Sequence, residues 1–139
     1  MRTVLLAMVV AVPLIAHSAS DAAAPLLDLN SIALSPELGL AVYTEREQGH
    51  CVLCHAVSSL AVPFQGDVGP TMDGIGSRLT PAQIRYRIVD ASRLNADSVM
   101  PPYYRTEGLN QVGADYVGKT ALSAEQIEQL VHYLSQLKD

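Results

Sequence analysis

Cys51-Val52-Leu53-Cys54-His55 constrains this chain more than any other stretch. Its only two cysteines stand two residues apart, and a histidine follows the second directly. That spacing is the attachment motif for a covalently bound haem of the c type. Both thiols bond to the vinyl groups of the porphyrin, and the adjacent imidazole of His55 then comes under the iron from the same side. Other readings use the residues less fully. Zinc would want further cysteine or histidine ligands, and none lie nearby. A redox CxxC has no need of the histidine and usually follows a strand. A structural disulfide across two residues would be strained.

The N-terminus fits export. Arg2 precedes an apolar run from Val4 to Ala16, then small residues Ser18, Ala19, Ser20 and Ala22 to Ala24. This is the pattern of a secretory signal, here placed at residues 1–24 with several small-residue pairs that would serve for cleavage. The run is shorter than the roughly 20 apolar residues a spanning helix needs. No stable membrane insertion is therefore expected once the signal is removed, although an uncleaved anchor is the competing reading.

Residues 25–139 form one expected domain of about 115 residues, with a modest core of its own. The sequence has no Trp and one Phe, Phe64, so folding around a porphyrin would supply the apolar bulk that the side chains lack. Its net charge of −5 lacks the basic stripe that nucleic-acid binding wants. Arg78, Arg85, Arg87 and Arg93 make a local basic cluster. At helical spacing this reads first as a solvated face and second as a docking surface.

Cap signals divide the domain. Ser35 with Pro36 and Glu37 opens a first helix, whose Leu38, Ala41 and Val42 share a face and which Gly49 would end. Thr80-Pro81-Ala82-Gln83 is a capping box opening a helix to about Arg93, with Ile84, Ile88 and Ala91 inward. Ser123-Ala124-Glu125-Gln126 opens the last helix, where Ile127, Leu130, Val131, Leu134 and Leu137 keep the 3.6-residue period. His132 falls on its polar side beside Gln129 and Gln136, and His50 reads first as an exposed ring at the exit of the first helix and second as a ring reaching the haem edge. No strand pattern occurs, so the expected fold is all-α, with about three main helices and long loops. The stretch from Tyr103 to Leu122 has three glycines and no periodicity, and loops of that length tend to be functional.

The haem motif just after a first helix, with an amphipathic helix at the C-terminus, resembles the class I cytochrome c fold. In that family the first and last helices cross beside the haem, and here Gly39, Tyr43 and Tyr133 would furnish the crossing. Gly69-Pro70-Thr71-Met72-Asp73-Gly74-Ile75-Gly76-Ser77-Arg78 resembles the family's segment covering the histidine side. The resemblance implies that the Pro70 carbonyl accepts a hydrogen bond from the His55 ring, fixing its tautomer. It also implies that Arg78 lies near a haem propionate. Met72 stands where the family usually has leucine and reads as core packing.

A wider resemblance covers most of the mature chain. The run Leu94–Arg105, with Met100-Pro101-Pro102-Tyr103-Tyr104, is followed by Gly108-Leu109-Asn110, by Gly118-Lys119 and by the final helix. Together these are similar to the SoxX family, the monohaem cytochrome subunits of the bacterial sulfur-oxidising system; Gln111, where arginine is expected, is a minor departure. The resemblance implies one haem c, a periplasmic location and a heterodimer with a SoxA-type cytochrome subunit. It also implies a sulfur carrier protein whose cysteine is oxidatively joined to thiosulfate, and a downstream acceptor cytochrome.

Both cysteines would be consumed by haem, leaving no thiol nucleophile, so this chain would be the electron-accepting subunit, with no catalytic residues of its own. Met1 and Met8 belong to the signal, which leaves Met72 and Met100 as candidates for the sixth iron ligand. Family resemblance and the freedom of a downstream loop stiffened by Pro101 and Pro102 favour Met100 opposite His55. Two other functions compete: a free-standing soluble electron shuttle, and a high-spin haem protein binding gas or peroxide. The long loop argues against the first and a methionine ligand against the second.

Overall fold

The computed structural model describes residues 24–139, so the signal read at 1–24 lies outside the described residues except for Ala24. Four helices follow in order: α1 (Pro36–Thr44), α2 (Ile75–Arg78), α3 (Pro81–Asp90) and α4 (Ala124–Gln136). Short 3-10 turns occur at Leu29–Ser31, Cys51–Leu53, Ala91–Arg93 and Ala114–Tyr116, and there is no strand among the described residues. The all-α expectation stands, with α1, α3 and α4 as its main helices.

The three main helices begin where their caps predict. The Ser35 hydroxyl accepts the Leu38 N–H, and both capping boxes close in each direction, Thr80 with Gln83 and Ser123 with Gln126. Each such cap is worth about 1 kcal/mol, because it satisfies an otherwise orphaned amide. The end of α1 differs from expectation. The helix stops at Thr44, since Glu45 is extended (φ −76°, ψ 135°). Gly49 instead folds back on the helix, donating its N–H to the Val42 carbonyl at 3.1 Å.

α1 and α4 cross at the residues named for it. A Cβ on Gly39 would lie 2.3 Å from the Gln129 carbonyl oxygen and 2.4 Å from the Tyr133 Cβ. Only a glycine lets the two backbones approach this closely. Beside it the Tyr43 and Tyr133 rings pack with centroids 5.8 Å apart, tilted by 55°. The inward face of α1 is therefore Gly39, Val42 and Tyr43, and Leu38, expected inward, is 51% exposed. Gly39→Ala should cost about 1–3 kcal/mol of stability through overpacking. A shift in the denaturation midpoint of the haem-loaded protein checks it.

α4 is buried further round than its apolar stripe indicates. Gln129, placed on the solvent side by periodicity, is buried; its Oε1 accepts the Ser35 N–H and its Nε2 donates to the Ala33 carbonyl, both at 2.8 Å. Glu128 is buried too and meets Arg85 of α3 in a forked pair of 2.8 and 2.7 Å. The Leu26 N–H donates to the same carboxylate at 2.9 Å. The solvated reading of the basic cluster thus fails at Arg85. The segment preceding α1 covers a second side of α4, and no periodicity within α4 reveals that cover. His132 stays on the outer side as expected, half-buried and 2.8 Å from the Gln136 amide nitrogen.

Candidate cofactor site

Between the CxxCH turn and the segment after α3 lies a cavity of about 830 Å³. Cys51, Cys54, His55, Gly69 and Pro70 line one part of it, and Val99, Met100, Pro101 and Tyr103 line another. Ile84 and Ile88 of α3 with Leu130 and Leu134 of α4 add its apolar wall. All six residues singled out in the sequence as holding a cofactor meet here: Cys51, Cys54, His55, Pro70, Arg78 and Met100.

The histidine side is built mostly from backbone. The turn is closed by His55 N–H donating to the Cys51 carbonyl at 2.9 Å, and the His55 Nδ1 lies 2.7 Å from the Pro70 carbonyl oxygen. A carbonyl only accepts, so the bond requires the proton on Nδ1 and leaves the Nε2 lone pair free for a metal. Gly69 backs the ring so closely that a Cβ there would fall 2.2 Å from the His55 Cε1. The Gly69 N–H donates to the Cys54 carbonyl and the Met72 N–H to that of Ala56, each at 2.8 Å. Tyr43 completes the seat, its hydroxyl donating to the His55 carbonyl at 2.7 Å.

Asp73 locks the same two segments together. Its carboxylate accepts from the Ser58 hydroxyl (2.6 Å), the Ser58 N–H (2.8 Å) and the Thr71 hydroxyl (2.8 Å). The Ser58 hydroxyl and N–H, ahead of Thr71, hold this carboxyl below the usual aspartate range. Arg78 is exposed and donates from Nη1 to the Asp73 carbonyl and from Nη2 to the Thr71 carbonyl, the latter at 3.3 Å. It therefore braces the Pro70 segment as well as lining the cavity. Met72, read as core packing, packs against the core and also lines the cavity.

Across the cavity, Met100 is half-buried, and its N–H donates to the Ser98 hydroxyl at 3.3 Å. Tyr103 reaches the opposite part through its hydroxyl, which donates to the Gly49 carbonyl at 3.1 Å, and burial pushes this phenol up to about 12. His50, expected as an exposed ring, lines the cavity and is half-buried. Its left-handed backbone (φ 46°) turns the chain into the CxxCH segment.

Neither cysteine is in a disulfide. Burial pushes the Cys51 thiol up to about 12, so it is protonated at neutral pH, the opposite of what a redox CxxC requires. The described residues contain no group of three or more His, Cys, Asp or Glu that could hold a metal alone, which disfavours zinc. A large apolar slot, a tethering pair of thiols, an imidazole with its tautomer fixed and a thioether together suit a covalently bound haem.

The sequence matches the cytochrome c family over residues 37–138. The chain belongs to that family. Membership implies a covalently bound haem c. Among solved structures this cytochrome is similar to the crystal structure of SoxXA from P. pantotrophus, with 33% identity and a TM-score of 0.71 over 81% of this chain and 88% of that one. No curated protein matches the chain. The class I cytochrome c fold and the SoxX-type resemblance read from the sequence are both borne out.

The sequence reading places Gly69 in the segment on the histidine side and Tyr43 at the helix crossing, but assigns neither of them, nor Tyr103, a contact of its own in this site. Gly69 was legible, because a glycine directly before the proline that faces a ligand histidine signals close approach. The tyrosines carried no comparable signal, since their partners are backbone carbonyls.

Proposed function

We propose that this cytochrome is an exported, monohaem electron-transfer subunit of a SoxAX-type enzyme that joins thiosulfate oxidatively to a cysteine of a carrier protein. The observation that carries the reading is the pairing of His55 and Met100 around one cavity that also takes both cysteines. A haem c bound there supplies one-electron redox chemistry. Cys51 and Cys54 would tether it, the His55 Nε2 and the Met100 thioether would hold its iron, and the Pro70 carbonyl holds the proton at Nδ1 of His55. Ile84, Ile88, Leu130 and Leu134 exclude water, which favours electron exchange over ligand exchange.

Two consequences set the role. With both ligands in place the iron would have no position for a sulfur substrate, and with both cysteines bonded to haem no free thiol would remain to carry one. Sulfur chemistry then belongs to a SoxA-type partner, and this chain takes the two electrons released, one at a time, and passes them to an acceptor cytochrome. Residues 1–24 would direct the chain to the periplasm and be removed.

The test is reconstitution. Mature, haem-loaded protein alone should show no thiosulfate-dependent electron transfer and should restore it when added to the SoxA-type subunit and carrier. Turnover by the isolated chain would overturn the subunit reading. Efficient electron transfer between membrane complexes without any SoxA-type partner would favour the free shuttle.

A further inference from the structure

The segment that carries Met100 leaves the end of α3 and returns to it. Tyr103 and Tyr104 donate their N–H groups to the Ile88 and Val89 carbonyls of the last turn of α3, at 3.2 and 3.3 Å. Between departure and return the loop is held by short-range turns: the Leu94 and Asn95 N–H groups donate to the Ala91 carbonyl at 3.0 and 3.1 Å, the Ser98 N–H to the Asn95 carbonyl at 3.0 Å, and the Met100 N–H to the Ser98 hydroxyl at 3.3 Å, while Leu94 and Val99 are exposed. Met100 itself packs against the core, and these turns are all local, so the contacts that bring the loop's two ends together lie at its base.

A single buried carboxylate stands there. Asp90, 2% exposed, accepts from the Ser92 N–H (3.1 Å) and the Ser92 hydroxyl (2.5 Å) on the outgoing side. On the returning side Arg105 Nη1 reaches the same carboxylate at 3.0 Å and the Ser92 hydroxyl at 3.1 Å. The outer cation, Arg93, is 3.6 Å away. Burial alone would push the Asp90 carboxyl up, but the Ser92 hydroxyl and the Arg105 guanidinium outweigh it and hold the group below its ordinary range. The Arg105 Nε is buried without a hydrogen-bond partner.

We propose that Asp90 and Arg105 are positioning residues, a clamp that closes the base of the Met100 loop and so holds the methionine ligand on the iron. The proposal rests on the reading of Met100 as the sixth ligand. Its physical basis is that a thioether bond to iron is weak and neutral, so ligation depends on how tightly the loop confines the sulfur. Crosslinking the loop's two ends through one carboxylate shortens the free segment and pre-organises it.

Haem-loaded protein with Arg105→Gln, Arg105→Lys, Asp90→Asn, Met100→Ala and Glu128→Gln separates the possibilities. Glu128 forms the other buried ion pair described here, with Arg85, its carboxylate also taking the Leu26 N–H, and serves as the stability control. Read the weak red sulfur-to-iron band, the rate of cyanide binding, the midpoint potential and the thermal midpoint. At temperatures well below the thermal midpoint, Arg105→Gln and Asp90→Asn should raise the cyanide rate about tenfold, weaken the band and lower the potential. Arg105→Lys should recover part of the loss, while Glu128→Gln lowers only the thermal midpoint. If Arg105→Gln behaves like Glu128→Gln, with band and cyanide rate intact, the clamp is wrong while Met100 ligation survives. If Met100→Ala leaves the band unchanged, the ligand assignment fails and the clamp with it.

Discussion

Met100→Ala in the haem-loaded protein is expected to abolish the weak red sulfur-to-iron band, open the site to cyanide or carbon monoxide and lower the reduction potential. Met72→Leu is expected to leave all three unchanged. The contrast is needed because both methionines line the cavity. They differ in how the chain holds them. Met72 is tied by its own N–H to the Ala56 carbonyl, next to His55, and so belongs to the histidine side. Met100 comes from the segment beyond α3, with Pro101 biasing its backbone toward an extended form. A thioether favours ferrous iron, so its loss lowers the potential. Absorption spectra and a redox titration of the two variants decide the matter, and the reverse pattern would show Met72 to be the ligand.

The second large effect is on folding. Replacing both Cys51 and Cys54 with alanine should leave no covalent haem and no cooperative fold. The core residues Tyr43, Ile84, Ile88, Leu130 and Leu134 all line the cavity of about 830 Å³. Without the porphyrin this apolar slot would take up water or collapse, and whole domains are stable by only roughly 5–15 kcal/mol. Collapse or flooding would remove the wall that α3 and α4 build. Circular dichroism during thermal unfolding checks this, and a sharp transition with native helix content in the variant would refute it.

Both effects concern a site that was largely legible in the chain itself. The CxxCH spacing locates the thiols and the imidazole because covalent geometry leaves them little choice. The Pro70 contact and the α1–α4 crossing at Gly39 were reachable through family resemblance, and both contacts are present. The solvated reading of Arg85 and the exposed reading of His50 were not correct. Each depends on what lies across from the residue, which a local pattern does not contain.

Local sequence determined where each main helix starts, because a cap is a contact over three residues: Ser35 to Leu38, Thr80 to Gln83, Ser123 to Gln126. It also determined the candidate ligands, His55 and Met100, and their order along the chain. Tertiary structure alone turned Leu38 of α1 outward, since the buried face follows from the place where the α4 backbone passes Gly39. It alone decided that Glu128 and Gln129 are buried, because the cover comes from residues 26–35, about a hundred positions away in the chain. And it alone joined Asp90 to Arg105, fifteen residues apart at the two ends of the Met100 loop. Charges so placed become partners only when the chain between them folds back, and that return is set by packing against α3.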